Sequence, residues 1–188
     1  MERQLVTDPS QADASHVERY RFATKFVNGE ILDIACGCGY GSHLLSRKGN
    51  VTGVDVEKSA ITHAEKYFDG NFVCCDAIHY LDTWPQFDYA VSFETIEHMK
   101  DDVLFVEKLR DCANYLICSV PNENLYPFNE EVFKQDKYPH LRHYTPEEFR
   151  KLLTDAGWEI TGEYCQKDKH NPVIREGVDG RFMVFTAK

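Results

Sequence analysis

The sequence predicts an α/β fold: a doubly wound, mostly parallel seven-stranded sheet with helices on both faces and an antiparallel last strand. Five apolar runs of strand length, "EILDIA", "NVTGVDV", "NFVCCD", "FDYAVSF" and "NYLICSV", alternate with segments of helical period. That alternation is the pattern of βαβ units. The first run feeds a turn with glycine at every second position, Gly37, Gly39 and Gly41. Two further strand-like runs, "WEITGEYC" and "RFMVFTAK", end the chain with only a polar stretch between them, which suits antiparallel pairing rather than another crossover.

Taken in order, "ASHVERYRFATKFV" reads as a helix at about residues 12–27, ahead of the first strand. Helices follow at Tyr40 to Arg47, Lys58 to Tyr67 and Asp101 to Cys112, the last with Val103, Val106 and Leu109 at three-residue steps. Near the C-terminus, "TPEEFRKLLTDAG" offers Thr145 as N-cap, Pro146 at the first helical position, Glu148 to complete a capping box and Gly157 as the stop. Between "SVPN" and that helix lies a polar and aromatic insertion of lid-like composition, residues 122–144. Its Tyr126, Phe128, Phe133 and Tyr138 either wall a substrate pocket or pin the loop to the body.

The 188 residues suffice for one well-buried core, and a single domain over 1–188 is expected. A net charge of −10 argues against an extended nucleic-acid footprint, which needs clustered Lys and Arg. Seven cysteines, with Cys36/Cys38 in the turn and Cys74/Cys75 adjacent, are unlike a secreted disulfide framework. The doublets also lack the usual zinc-ligand spacing, so they read as small buried hydrophobes. The first fifteen residues hold no signal-type apolar core, and no segment approaches the roughly 20 apolar residues of a membrane span. A cytoplasmic protein without membrane contact is expected, and its oligomeric state is left open.

A bare turn between strand and helix brings the backbone close to an adenosine-containing ligand, the Rossmann-like arrangement. A nicotinamide fingerprint wants a sixth-position glycine, counted from Gly37, where this chain has Ser42. The oxidoreductase reading therefore loses ground. Instead one acid stands at each of three strand ends: Asp33, Asp55, suited to the two hydroxyls of a ribose, and Asp76, suited to an adenine amino group. Each alone could be a helix N-cap; three in register with a glycine turn make a ligand edge.

With these motifs in order, namely "H..RY.FA" (His16, Arg19, Tyr20, Phe22, Ala23), "LDIACGCGYGS", "GVD", "VSFETIEH", "SVPN" and a later His before "TPEEF", the sequence resembles the class I S-adenosylmethionine-dependent methyltransferases from about Ser15 to Lys188. The resemblance implies that Asp33, Gly37 and Gly39 shape the methionine pocket. It also implies that Asp55 and Val56 hold the ribose, that Asp76 and Ala77 meet the adenine, that Phe93 packs nearby, and that the helix carrying Tyr20 folds across the cofactor opening. Cys38 replaces a residue that is acidic or polar in many relatives, and "DCANYL" replaces the usual "KPGG", so the site has room to differ.

Methyl transfer from a sulfonium is an in-line displacement, so the protein mainly aligns the nucleophile and excludes water. A hydroxyl nucleophile further needs a base or a metal. "FETIEH" supplies Glu94, Glu97 and His98 at i, i+3 and i+4, one face of a helical turn. The insertion adds His140 and His143. Small-RNA ribose methyltransferases and some ubiquinone-pathway O-methyltransferases share the Glu-x-x-Glu-His turn. The former add a histidine that maps onto His140, and there the four side chains bind a divalent cation. By resemblance Glu94, Glu97, His98 and His140 are candidate ligands for Mg²⁺, Mn²⁺ or Zn²⁺, and Glu97, His98 and His140 are the candidate catalytic residues. Without a metal, His98 acts as a base or packs the loop. His143 reads as an exposed loop residue and His170 as a turn residue.

The leading reading is methyl transfer to a small-molecule acceptor at oxygen. An RNA-terminal ribose 2'-O-methyltransferase is the second reading, and a non-catalytic module that holds the cofactor for a partner is the third.

Overall fold

In the computed structural model, which describes residues 5–83, 86–168 and 170–188, one sheet runs through the whole chain. Strands β1 (Gly29–Ile34), β2 (Gly49–Asp55), β3 (Asn71–Cys74), β4 (Phe87–Phe93) and β5 (Ala113–Pro121) are parallel. They correspond to the five apolar runs. β6 (Ile160–Asp168), β7 (Asn171–Glu176) and β8 (Phe182–Ala187) are antiparallel, giving the order β3-β2-β1-β4-β5-β8-β6-β7.

The sheet thus has eight strands, not seven. The polar stretch before the last run hides β7, whose alternating, mostly exposed residues lack the apolar signal of a buried strand. β8 then inserts between β5 and β6, so the antiparallel part is a three-stranded unit.

Helices α1 (Ala14–Ala23), α2 (Tyr40–Leu45), α3 (Lys58–Tyr67), α4 (Ala77–Leu81), α5 (Asp102–Cys112), α6 (Glu130–Phe133) and α7 (Pro146–Asp155) cover both faces. The Thr145–Glu148 capping box of α7 is formed in both directions. On α5 the core-facing residues are Phe105, Val106, Leu109 and Cys112, while Val103 is exposed. α4 and α6 are too short for a periodic signal.

The pleat sorts side chains by parity. Leu32 and Ile34 of β1 join Phe105, Phe149, Trp158 and Phe185 on one face. Ile31, with Val91 and Phe93 of β4, joins Tyr20, Phe22 and Leu45 on the other. Asp33 shares the parity of Ile31 and therefore points toward α1 and α2. Strand order reverses between β1 and β4, each continuing to its own side, so the crevice at their carboxyl ends is the topological switch point where doubly wound sheets bind ligands. Cys36, Cys38, Cys112 and Cys118 are buried among apolar side chains, as small hydrophobes, and Cys165 is buried beside Asp179, whereas Cys74, expected to be buried, is exposed at the end of β3 and Cys75 is half-buried. Among the described residues no helix is long and apolar enough to cross a membrane.

Candidate active site

Among the described residues two non-glycine residues adopt left-handed backbone, Ala35 (φ 62°) and Glu94 (φ 49°), one just past β1 and the other just past β4. Such strain concentrates where a site over-determines the backbone, and here it flanks the switch point. Gly37 and Gly39 are also left-handed, at φ 59° and 87°. They differ in what a side chain would meet. At Gly37 nothing lies within 4 Å of a Cβ, whereas at Gly39 a Cβ would stand 2.6 Å from Ala64 Cβ and 2.9 Å from the Phe72 ring. Gly39 is therefore needed to seat the turn on α3 and β3, and Gly37 faces the open side.

Asp33 is fully buried and accepts from Tyr20 Oη at 3.0 Å and Ser42 Oγ at 2.6 Å. Burial pushes its carboxyl up to about 7, against the two hydrogen bonds, which favour the charged form. Tyr20, reaching over from α1, packs edge-on to Phe93 with ring centroids 5.0 Å apart, which joins three of the predicted cofactor residues in one contact set. Asp55 Oδ2 accepts from Gly37 N–H at 2.9 Å and Oδ1 from Glu57 N–H at 2.8 Å. It therefore shapes the glycine turn, and a carboxylate oxygen can accept more than one hydrogen bond. Val56, directly after Asp55, leaves its side chain about half exposed at the strand end. Asp76 is the N-cap of α4, accepting from His79 N–H at 3.1 Å, with Ala77 opening that helix.

The opposite wall comes from the 3-10 turn Ile96–His98 after β4 and from the insertion. Glu97 is fully buried, and neither carboxyl oxygen has a hydrogen-bond partner among the described residues. Burial first, and the Glu94 carboxylate second, push its pKa well above the usual range. His98 Nδ1 lies 3.0 Å from the Pro139 carbonyl, which can only accept, so Nδ1 carries the proton and Nε2 presents its lone pair. That Nε2 is 4.0 Å from Glu97 Oε1.

A second chain of contacts sets His140 the same way. His143 Nδ1 donates to the Tyr126 carbonyl at 2.6 Å, leaving its Nε2 to accept from His140 Nδ1 at 2.8 Å. His140 must then present an unprotonated Nε2. Burial depresses all three imidazoles, His140 to about 3, so they are neutral at pH 7. Glu97, His98 and His140 offer ligand atoms that all lie within 4.8 Å of one another. A buried carboxylate without a partner and two neutral nitrogens fit a divalent cation.

Glu94, expected with these three, stands outside that cluster. Its left-handed backbone and a 2.8 Å bond from Ser119 Oγ to its Oε1 hold the carboxylate against β5. His143, expected as an exposed loop residue, is 7% exposed and packs against Tyr126, Phe128 and Phe133. His170 sits in the exposed turn between β6 and β7. Phe133 also stacks on His140 at 4.2 Å between centroids, so the insertion's aromatics clamp the histidines. Farther along, Lys137 pairs with Glu57, and Tyr138 Oη donates to the same carboxylate at 3.3 Å. The insertion thus reaches from the histidine cluster to the residue two beyond Asp55. A cavity of about 380 Å³ lined by Asp102, Arg142, His143, Tyr144 and Glu148 opens against α7 and touches none of the predicted cofactor residues.

The family model for a methyltransferase domain matches residues 11–163, most of the chain and both walls of this crevice. The chain belongs to the class I S-adenosylmethionine-dependent methyltransferase family. Among family relatives, the ubiquinone biosynthesis O-methyltransferase of Dinoroseobacter shibae is 30% identical over 69% of this chain and 59% of its own length. The Bradyrhizobium diazoefficiens enzyme of the same name is 29% identical over 70% of this chain and 58% of its own length. The chain therefore spans less than two thirds of these relatives. A methyltransferase of Thermotoga maritima has the same fold, with a TM-score of 0.73 at 20% identity over 92% of this chain and 88% of that one. The magnesium protoporphyrin IX methyltransferase of Synechocystis with bound S-adenosylmethionine has a TM-score of 0.63 at 16% identity, covering 95% and 79%. Within this methyltransferase fold, the His143 contact with His140 and the strained Ala35 have no signal in spacing. Only the Tyr126-to-His143 density of aromatics hints that the histidines are packed.

Proposed function

We propose that this methyltransferase transfers a methyl group from S-adenosylmethionine to a hydroxyl oxygen of a small molecule. One observation carries the reading: the buried Glu97 carboxyl, without a hydrogen-bond partner among the described residues, offers a ligand atom within 4.8 Å of those of His98 and His140. The cofactor, when bound, supplies an electrophilic methyl on a sulfonium. The protein's part is to deliver an oxygen that has lost, or is losing, its proton. Asp33, Gly37, Asp55, Val56, Asp76, Ala77 and Phe93 form the cofactor side; Glu97, His98 and His140 form the acceptor side. A divalent cation held by Glu97, His98 and His140 would lower the pKa of an acceptor hydroxyl. Without one, His98 Nε2 accepts the proton directly, with Nδ1 anchored on Pro139. The net charge of −10 favours a small acceptor over an RNA end.

The test pairs labelled methyl transfer into a panel of small hydroxy compounds with S-adenosylhomocysteine calorimetry. Incorporation that Glu97→Gln abolishes, at unchanged cofactor affinity, is the expected result. Incorporation into none of them alongside normal cofactor binding would favour a cofactor-holding module. Chelator sensitivity, together with Mn²⁺ binding read by electron paramagnetic resonance, decides between the metal and the metal-free base.

A further inference from the structure

Residues 137–141 of the insertion are fastened to both sides of the switch-point crevice. On the β4 side the Leu141 N–H donates to the Glu97 carbonyl at 2.8 Å, and the Pro139 carbonyl accepts from His98 Nδ1 at 3.0 Å. On the β2 side the Lys137 ammonium pairs with the Glu57 carboxylate, and Tyr138 Oη donates to the same carboxylate oxygen at 3.3 Å. β1 lies between β2 and β4 in the sheet. Neighbouring strands stand ~4.8 Å apart, so the two fastenings are at strand ends roughly 10 Å from one another. The segment between them therefore passes over the end of β1 and the glycine turn that follows it.

The two fastenings differ in kind. The β4 end rests on a main-chain hydrogen bond and on His140, whose ring stacks on Phe133. The β2 end rests on side chains alone: that of Lys137 is 70% exposed and that of Glu57 23%, and an ion pair so open to water holds weakly. Glu57 is nonetheless arranged for it. As N-cap of α3 it makes no side-chain cap bond, and Ser59 Oγ donates to its Oε1 at 3.2 Å, which leaves Oε2 to Lys137 and Tyr138. Its backbone N–H is held by Asp55 Oδ1 at 2.8 Å, while Asp55 Oδ2 holds Gly37. The weak fastening is thus built onto the acid proposed for the cofactor ribose, and releasing it uncovers the glycine turn.

We propose that residues 137–141 are a strap over the cofactor crevice, and that the Lys137–Glu57 latch must open for S-adenosylmethionine to enter or leave. This rests on the methyltransferase reading of the site. A latch acts on entry and exit alike, because one opening serves both, whereas a residue that only touches bound cofactor changes its release alone. Weakening the latch therefore speeds exchange in both directions and leaves the affinity nearly constant.

The test uses the full chain immobilised for surface plasmon resonance. S-adenosylhomocysteine is the ligand, because it carries no net charge and so is not steered by the charge of a variant. Association and dissociation rates are read at low and high salt. In Lys137→Glu both rates should rise ~2–5-fold at low salt, the range an exposed ion pair supplies, with a smaller change in Kd. Adding Glu57→Lys, which restores the pair with its charges exchanged, should return both rates toward those of the wild type. High salt should speed the wild type and narrow its difference from Lys137→Glu. Lys134→Glu, which breaks the exposed pair with Glu131 local to α6, should leave both rates unchanged. Unchanged rates in Lys137→Glu, faster release without faster association, no recovery in the exchanged pair, rates indifferent to salt, or the same gain in Lys134→Glu overturns the proposal. A wild-type protein that binds no S-adenosylhomocysteine refutes the methyltransferase reading itself, a different failure from one confined to the rates.

Discussion

Replacing Asp33 with asparagine should flatten the pH dependence of the ligand-free protein's stability. In the folded chain the carboxyl sits at about 7, against an ordinary value of 3.8. A raised folded pKa means that the native state holds a proton the unfolded state has released. Stability therefore falls as pH rises from the unfolded value toward 7 and levels off above it. At about 1.4 kcal/mol per pH unit, the wild type should lose roughly 2–3 kcal/mol between pH 5 and 8 through this group alone. The substituted amide would keep one acceptor for Tyr20 or Ser42 and place its NH₂ toward the other, a defect that does not vary with pH. The measurement is urea unfolding of both proteins at pH 5, 6, 7 and 8, read as the difference between their curves. The difference should narrow, or reverse in favour of Asp33→Asn, by that amount across the range. Parallel curves would show that Asp33 is ionised throughout, and the argument from its burial would fail.

Gly39→Val should lower stability by about 2–4 kcal/mol, since its Cβ would stand 2.6 Å from that of Ala64 at a φ of 87°; a normal melting temperature would remove the packing explanation for this glycine. Asp55→Ala should weaken S-adenosylhomocysteine binding by roughly 2–4 kcal/mol in calorimetry. The same variant should also lower the melting temperature, because Asp55 holds the backbone N–H groups of Gly37 in the glycine turn and of Glu57 ahead of α3; intact affinity would reassign it to structure alone. His143→Ala should weaken Mn²⁺ binding ~10–100-fold by releasing the tautomer of His140, while His170→Ala leaves it unchanged. Equal affinities in all three proteins would break the link from Tyr126 through His143 to His140.

The proposed cofactor half of the site is legible as geometry because it is written in local patterns. A strand ending in Asp33, a glycine turn and an acid at each of the next two strand ends lie within a few residues of the elements that place them, and strand parity then settles which face Asp33 takes. The acceptor half depends on contacts between distant segments. Spacing puts Glu94, Glu97 and His98 on one face of a helical turn. The chain instead makes a 3-10 turn there, with Glu94 left-handed ahead of it, and a hydroxyl from β5 captures the first carboxylate. His143 reads as a loop residue because nothing in "YPHLRHYTPEEF" says that Tyr126 lends its carbonyl from seventeen residues away. β7 escapes for a related reason, being an edge strand whose partners are supplied by α1 and β6 and not by its own apolar content.

That division bears on how such a domain changes its acceptor. Asp33 and Asp55 are tied to the turn that shapes the cofactor edge, so most substitutions there would disturb folding and binding together. On the proposed acceptor side the groups come from the turn after β4 and from the insertion. Their imidazoles are anchored separately, His98 on Pro139 and His140 through His143 on Tyr126. Arg19 lies one position before Tyr20 on the same helix. Because Tyr20 is bound to Asp33 and Arg19 to Gln166 of the antiparallel unit, a shift of α1 would act on both ends at once. Cofactor binding should therefore be coupled through α1 to the antiparallel unit, read as slower amide hydrogen exchange in β6 and β8 with S-adenosylhomocysteine than without it. The coupling should disappear when the Arg19–Gln166 bond is broken while Tyr20 is retained, and a coupling that survives that change would place its route elsewhere.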